Sequence, residues 1–400
     1  MVFACQRDSF QRQLSSKVKS CTKGVGEYAD FYEVICEDSV LFPEGGGQPC
    51  DTGFINDIAV EQVLRRGNEA VMYVKEPVPI GEEVTQSVNW DRRLDHMQQH
   101  SGQHLITAII NAEYKIDTTS WWLGDKVSHI ELETKQLTDK QIKNIEMLAN
   151  EKILKQSPVV VKLCNIGDES LKVARTRGLP NNVSGPIRII EITGMESDLC
   201  CGTHVNNLGE LQCIKLLHAE KGKKNKTNLF FLTGNRVLKY LSECLNRECG
   251  LRQLLKNEPA LHVDLVKKLQ QNLKITNKKL TALLKEIAIC EAEKFRRLKP
   301  KPRYYAHHNK EAESDYLENF WRTVRDDESI EQTFFMLAAG TDTGSLLLQG
   351  DEHDLLILGP KIADILGGKG CIHGRRFQAK VSKLGCFSDA QKILSLHFDK

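Results

Sequence analysis

The segment at residues 91–114, DRRLDHMQQHSGQHLITAIINAEY, decides how the middle of the chain folds. Its apolar residues recur at helical spacing, which predicts a helix: Leu94, Met97, Leu105, Ala108 and Ile109. Its histidines recur every four residues, at His96, His100 and His104. Residues four apart share one face of a helix, so a neighbouring pair can converge on one metal ion. His96 and His104 diverge by about 80° around the axis, so the helix offers either His96 with His100 or His100 with His104.

A second group of metal-binding residue types lies at residues 198–205, DLCCGTHV. Cys200 and His204 form a compact pair within a turn that Gly202 permits, and Cys201 is a second thiol beside them. Zinc takes about four ligands in a tetrahedron, drawn from Cys, His and carboxylate. His-x3-His with Cys-x3-His is therefore a complete set. A filled tetrahedron is compatible with a structural metal as well as with a catalytic one.

Outward from these two segments, the pattern of predicted strands and helices changes three times along the chain, which predicts an α+β multidomain protein. Residues 1–90 contain short strands at the spacing of a small β-barrel, broken by a glycine-rich turn. Residues 91–233 alternate helices and strands and form an α+β zinc-containing domain. Residues 234–302 are helical, interrupted at Pro259, and form either a helical hairpin or a coiled coil. Residues 303–400 have the strand and helix alternation of a C-terminal α/β domain.

The bulk composition is that of an ordinary soluble protein. The 400 residues are 40% hydrophobic and 27% charged, with a net charge of +2, so any nucleic-acid binding must use local patches. No run of about 18 apolar residues is present, so we expect no membrane span. The first residues lack the apolar core of a signal peptide. Thirteen scattered cysteines fit reduced thiols, so a cytoplasmic location is expected.

Four motifs in one order resemble the editing domain of alanyl-tRNA synthetase and its free-standing AlaX-type relatives. QHSGQHLI at 99–106 resembles the family's H-x3-H-L segment, and SDLCCGTHVNNLGEL at 197–211 its C-x-G-T-H segment. FPEGGGQPCDTGFI at 42–55 resembles its glycine-rich motif, and TTSWWLGDKV at 118–127 its serine-recognition segment. The glycine-rich motif begins already at Phe42, with no room before it for an aminoacylation domain. A free-standing editing protein is therefore expected.

The resemblance implies a role for each matching residue. One zinc ion per chain would be held by His100, His104, Cys200 and His204, which leaves Cys201 as a neighbour of the site. Thr118, together with Thr119, would contact the serine hydroxyl. The glycine-rich turn would shape the boundary between barrel and editing domain, through Gly45, Gly46, Gly47, Gln48 and Asp51. A turn that merely needs positive φ is the alternative interpretation of the glycines.

The resemblance also implies an activity, which is hydrolysis of the aminoacyl ester of mischarged tRNA(Ala). Ser-tRNA(Ala) is the main expected substrate and Gly-tRNA(Ala) a second one. This hydrolysis is a second selection step after aminoacylation. It is useful because an apolar site that selects alanine rejects serine only about 100-fold. The alternatives are a non-catalytic module that binds tRNA or protein on a degenerate editing fold, and a purely structural zinc protein. The sequence does not identify a general base, although Glu196, Asp198 and His129 are titratable residues worth locating.

Short basic clusters are the candidates for RNA contact. They are KGKKNK at 221–226, the arginines Arg175, Arg177 and Arg188, KPKPR at 299–303 and GRRFQAK at 374–380. Each cluster alone also fits a solvated loop. The segment ILGGKGCIHGRRFQAKVSKLG at 365–385 resembles, more weakly, the glycine-rich motif of the domain that follows the editing domain in alanyl-tRNA synthetase.

Overall fold

The computed structural model describes residues 2–165, 168 and 186–399. It divides into two compact units, Met1–Gly250 and Leu251–Lys400. Arg175 and Arg177 lie outside the described residues.

Six antiparallel strands near the start of the chain close into a barrel, in the order β1-β2-β5-β4-β3-β6. After the short helix α1 (Ala4–Arg7), the strands are β1 (Gln13–Lys23), β2 (Tyr32–Cys36), β3 (Gly53–Ile55), β4 (Ile58–Arg66), β5 (Glu69–Val74) and β6 (Glu83–Val88). Apolar side chains such as Val34, Val63 and Met72 fill the interior. Closure of a sheet removes its unpaired edges, which favours a small barrel. The expected N-terminal barrel and the α+β class are confirmed.

Helix α2 (Trp90–Tyr114) follows the barrel directly and is the element on which the site is built. The Asn89 side chain caps its first turn by accepting a hydrogen bond from the Arg92 amide. Lys115 ends it in the left-handed conformation, with φ of 54°. The helix is buried continuously from His96 to Ile110, polar side chains included, because other elements cover it on all sides.

Among the described residues between α2 and Thr233, the remaining elements form two antiparallel sheets and one further helix. In chain order they are β7 (Thr118–Trp122), β8 (Ser128–Leu132), α3 (Asp139–Leu154), β9 (Val159–Cys164), β10 (Ile187–Ile192), β11 (Glu196–Leu199), β12 (Ile214–Lys221) and β13 (Thr227–Thr233). One sheet has the order β12-β13-β8-β7 and the other β11-β10-β9. Thr138 caps α3 in a capping box with Gln141, as its sequence predicts. Ile130, Leu229 and Phe231 of the four-stranded sheet face the core that α2 and α3 share.

Two helices follow, α4 (Asn235–Leu255) and α5 (His262–Arg296). The interruption predicted at Pro259 lies between them, because proline cannot supply the backbone donor that a continuous helix needs. The apolar residues of α5 that follow a heptad spacing are exposed along most of the helix: Val266, Leu269, Leu273, Leu280, Leu283 and Ile287.

The second unit is built on a five-stranded sheet with helices on both faces. Its elements are β14 (Tyr304–Asn309), α6 (Ser314–Val324), β15 (Phe334–Gly340), β16 (Gly344–Gln349), α7 (Glu352–Ile365), β17 (Lys369–His373), β18 (Arg376–Val381) and α8 (Phe387–Phe398). The sheet order is β14-β15-β16-β18-β17, with β14 and β15 parallel. Phe335 packs towards α5 and α6, and its neighbour Phe334 packs towards α7 and α8, because successive strand residues alternate faces. Among the described helices, none is both long enough and apolar enough to cross a lipid bilayer.

Candidate metal centre

Four metal-binding side chains meet where α2 passes the turn after β11. His100 and His104 come from α2, and Cys200 and His204 from the turn; their ligand atoms all lie within 4.8 Å of one another. The Cys200 sulfur is 3.2 Å from His100 Nε2 and 3.3 Å from His204 Nε2. A tetrahedral zinc with ordinary bond lengths places sulfur and nitrogen ligands about 3.6 Å apart. The four residues therefore have the composition and spacing of a zinc site.

Each histidine of this cluster is oriented by a hydrogen bond at its other ring nitrogen. Nδ1 of His100 is 2.9 Å from Gln48 Oε1, and Nδ1 of His104 is 2.9 Å from Asp198 Oδ2. Nδ1 of His204 is 3.1 Å from Ser101 Oγ. Protons on the three Nδ1 atoms leave every Nε2 lone pair free to bind a metal. Such outer partners fix the ring and its tautomer at metal sites.

The electrostatics of the cluster also suit a cation. Nε2 of His104 is buried without a hydrogen-bond partner among the described residues, which is costly unless something else occupies that position. Burial raises the pKa of the Cys200 thiol, but the charges of His100 and His204 outweigh it and lower the pKa well below its usual value. Burial lowers the pKa of His104, but the hydrogen bond to Asp198 and the charge on Cys200 raise it to about 10. A thiol whose pKa is lowered in this way loses its proton readily, and the deprotonated sulfur is the form that binds a metal ion.

Gln48 of the glycine-rich turn reaches into this cluster from the barrel. Besides His100, its Oε1 accepts a hydrogen bond from the Thr203 amide at 3.0 Å, and its Nε2 donates to Thr203 Oγ1 at 2.8 Å. The turn after β11, which carries Thr203, needs a glycine at position 202, because a Cβ there would lie 2.2 Å from the His100 ring. The glycine-rich turn therefore supports the metal ligands directly, a connection that the sequence pattern did not reveal.

The glycines of this turn also accommodate Trp121, which covers the His100 ring at a centroid distance of 4.6 Å. Gly46 and Gly47 have φ of 63° and 83°, the region that favours glycine. The indole nitrogen of Trp121 donates to the Gly46 carbonyl at 3.1 Å, and a Cβ on Gly47 would lie 2.8 Å from that nitrogen. Both the conformation and the close approach account for glycine here. Gly45 closes the turn by exchanging backbone hydrogen bonds with Gln48.

Asp51 fixes the barrel to α2 through a buried ion pair. Its carboxylate accepts from Arg93, and both side chains are fully buried. The same carboxylate accepts from the Phe42 amide at 2.7 Å, while Arg93 donates to the Ser9 carbonyl at 2.9 Å. Its part in the site is therefore to hold α2 against the barrel.

The two adjacent cysteines lie in different surroundings. Cys200 joins the metal-binding cluster, whereas a Cβ on Gly46 would lie 3.0 Å from the Cys201 sulfur, so Cys201 points at the glycine-rich turn. Burial raises the pKa of the Cys201 thiol. Arg188, a candidate phosphate contact by sequence, is buried and donates to the Cys200 carbonyl at 2.8 Å. Its role here is to shape the turn.

The two candidate threonines face different neighbours. Thr118 Oγ1 lies 3.1 Å from Thr107 Oγ1, and Thr107 follows His104 by one helical turn. Gln103 Nε2 donates to the same Thr107 hydroxyl at 2.9 Å. Thr119 instead donates to Glu131 at 2.5 Å. Thr118 is thus the threonine that the fold connects to the metal-binding helix, and Thr107 and Gln103 are partners that the sequence did not suggest.

Three other titratable residues suggested by the sequence, His96, Asp198 and His129, are not among the four candidate ligands. His96 is buried outside the cluster, and burial lowers its pKa to about 3. Asp198 serves His104 through its hydrogen bond, and His129 lies on β8 among aromatic rings. Of the two helical pairs that spacing allows, His100 with His104 is the one placed next to Cys200 and His204.

These features define a class of protein: an α+β domain with a buried His/Cys cluster, packed on a small barrel whose glycine-rich turn contacts that cluster through Gln48. The family model described as "Threonyl and Alanyl tRNA synthetase second additional domain" matches residues 187–232, which hold Cys200 and His204. The alanyl-tRNA editing protein Aarsd1-B of Xenopus laevis is 42% identical over 98% of this chain and 97% of its own length. Aarsd1 of Mus musculus is 42% identical with the same coverage. The chain belongs to the alanyl-tRNA editing protein family.

More distant similarity extends in two directions. The alanyl-tRNA editing protein AlaX-L of Pyrococcus horikoshii is 27% identical over 70% of this chain and 70% of its own length. The solved C-Ala domain of the Aquifex aeolicus alanyl-tRNA synthetase matches 24% of this chain and 91% of that chain at 14% identity. Its TM-score is 0.22, which is too low to carry an argument.

Proposed function

We propose that the protein is a zinc-dependent aminoacyl-tRNA deacylase that removes serine, and secondarily glycine, from mischarged tRNA(Ala) in trans. The observation that carries the proposal is the buried cluster of His100, His104, Cys200 and His204 in a chain of this family. Within the part of the chain that the structure describes, nothing hydrogen-bonds the buried Nε2 of His104, which supports a metal there. The proposal places the protein in the cytoplasm as a factor of translational fidelity. The proposal also includes four domains: the barrel at residues 1–90, the editing domain at 91–233, the helical segment at 234–302 and the C-terminal domain at 303–400.

One zinc ion per chain would be held by the four ligand atoms of this cluster. When bound, it supplies a positive charge that polarises or orients the oxygen and nitrogen atoms of the aminoacyl ester. The chain's own contribution is preorganisation: Gln48, Asp198 and Ser101 fix the three imidazoles before any substrate arrives. Trp121 covers His100 and limits water at that side of the site.

Thr118 would select serine through its hydroxyl. Because Gln103 donates to Thr107 Oγ1, the Thr107 proton is available for Thr118 Oγ1, which then directs its own proton at the substrate. A seryl hydroxyl accepts this hydrogen bond. An alanyl ester leaves the Thr118 hydroxyl unpaired, at a cost of about 1–3 kcal/mol. The pair Gln103–Thr107 therefore acts as a positioning device for the selecting group.

The test is a deacylation assay on Ser-, Gly- and Ala-tRNA(Ala) with the full chain. We expect rapid release of serine, slower release of glycine and protection of alanine. Thr118→Val should reduce release of serine more than release of glycine, because glycine has no hydroxyl for Thr118 to contact. Thr119→Val is the matched control, since Thr119 bonds to Glu131. Binding of tRNA(Ala) without release of any amino acid would replace the proposal by the non-catalytic binding module.

A further inference from the structure

The outer face of the four-stranded sheet carries a row of rings, one from each strand. They are Trp122 of β7, His129 of β8, Phe230 of β13 and His218 of β12. The register places His129 opposite both Trp122 and Phe230. The alternating residues Ile130, Leu229 and Phe231 face the core. The row is therefore the solvent face of a sheet whose other face packs on helices.

The rings form a continuous surface. Their centroids are 5.7 Å apart between Trp122 and His129, 5.2 Å between His129 and Phe230, and 4.8 Å between Phe230 and His218. The last pair is nearly parallel, at 15°. Trp122 is 59% exposed and the His218 side chain 55%. His129 and Phe230 between them are half-buried, so the four rings together offer a partly exposed aromatic surface of the kind that binds partners.

The row is separate from the metal centre. Trp121 covers His100, while the next residue, Trp122, stacks along the row, because neighbouring strand residues point to opposite faces. Gly124 leaves room for the Trp122 ring, since a Cβ there would lie 2.5 Å from it. A ligand on the row would thus bind the protein at a second place.

The charges beside the row favour a polyanion. The β12–β13 hairpin holds the exposed lysines Lys221, Lys223 and Lys224. Phe230 lies within β13, three residues after its first residue Thr227, which is about 10 Å along the strand from the hairpin turn. Two acidic residues on this face have partners: Glu131 forms an ion pair with Lys226, and Glu220 Oε1 lies 3.1 Å from His218 Nε2. Burial lowers the pKa of His129, so its ring is uncharged at neutral pH and suited to stacking.

We propose that this row binds unpaired RNA nucleotides, whose bases stack on Phe230 and Trp122 while their phosphates lie near Lys223 and Lys224. A four-stranded sheet with exposed rings can stack two or three bases in this way. Stacking on rings accepts every base, so the surface tolerates any sequence. The choice of RNA as the polyanion rests on the proposed function, whereas the presence of the row does not.

The experiment measures binding of a fluorescein-labelled single-stranded RNA of about ten nucleotides to the full chain. We expect Phe230→Ala and Trp122→Ala each to weaken binding about tenfold, because each removes a stacking ring. Phe230→Tyr keeps a ring and should bind within about twofold of the parent. Phe54→Ala removes an exposed phenylalanine from β3 of the barrel and should change nothing. Thermal unfolding checks that the variants fold.

Salt dependence tests the lysines. Replacing Lys223 and Lys224 together by serine should reduce the slope of log K against log salt by about 0.7 for each phosphate that the protein no longer neutralises. Equal binding by Phe230→Ala and the parent chain would overturn the proposal, as would tighter binding to a blunt RNA duplex than to the single strand. Absence of RNA affinity, with self-association that Phe230→Ala abolishes, would assign the row to a protein partner instead.

Deacylation is measured separately on the same variants. Phe230→Ala should raise KM for seryl-tRNA(Ala) and leave kcat unchanged, because the row is remote from the metal ligands. Single-stranded RNA binding without deacylation by the parent chain would contradict the proposed function and leave this inference standing. Deacylation by the parent chain, with equal binding of single-stranded RNA by Phe230→Ala and the parent, would do the reverse.

Discussion

At the scale of single residues, Gln48 shows how a barrel side chain controls a histidine 52 positions away in the sequence. Its amide oxygen accepts from both His100 Nδ1 and the Thr203 amide. One side chain thereby fixes a ligand from the helix and the backbone of the turn that carries the other two. Removing it should loosen both halves of the metal centre.

We therefore expect Gln48→Ala to weaken zinc affinity about 10- to 100-fold, the usual effect of losing an outer partner of a metal ligand. Competition with a chromophoric chelator measures the affinity. Gln62→Ala is the control, because Gln62 is a barrel glutamine that bonds Tyr28. Unchanged zinc affinity in Gln48→Ala would show that His100 is oriented by something else.

Thr107 gives a second prediction at this scale. Thr107→Val keeps the shape but removes the hydroxyl that lies between Gln103 and Thr118. We expect kcat/KM for Ser-tRNA(Ala) to fall about five- to tenfold, which corresponds to one hydrogen bond. The value for Gly-tRNA(Ala) should hardly change. Thr107→Ser should restore the parent ratio of kcat/KM for Ser-tRNA(Ala) to kcat/KM for Gly-tRNA(Ala). An equal fall in kcat/KM for both substrates would refute the positioning role of Thr107.

At the scale of elements, the site depends on how α2 is held against the barrel. The buried pair of Asp51 and Arg93 provides this joint. Asp51→Asn should lower the free energy of unfolding by about 3–5 kcal/mol, because it leaves the arginine charge buried without its partner. Urea unfolding measures the change. Glu69→Gln, in the exposed pair with Lys19, is the control and should lower the free energy of unfolding by less than about 1 kcal/mol. An equally small loss in Asp51→Asn would show that this ion pair does not hold α2 against the barrel.

Element by element, local patterns were predictable from the sequence and long-range pairings were not. The helical spacing of α2 and the break at Pro259 are local, so the residues alone indicated them. The partnership of Asp198 with His104 joins residues 94 positions apart, and no spacing predicts it. Arg188 misled the sequence interpretation because a charged residue near others suggests a surface, whereas this one is buried in hydrogen bonds to backbone carbonyls.

At the scale of the whole molecule, the first unit contains both the candidate metal centre and the aromatic row, on opposite sides of β7. The barrel supplies Gln48 and Asp51, α2 supplies two ligands, and the turn after β11 supplies the other two. Each part is separated from the others in sequence, so the centre exists only when the unit is folded. Metal content therefore reports on both folding and function.

The most direct test of the central claim compares the two adjacent cysteines. Cys200→Ala and Cys201→Gly are purified as full chains, and bound zinc and release of serine from Ser-tRNA(Ala) are measured on the same samples. We expect Cys200→Ala to lose both together, because it removes one ligand of the cluster. Cys201→Gly should keep both near the parent values, since its sulfur faces the glycine-rich turn. Full serine release by a zinc-free Cys200→Ala protein would contradict the account.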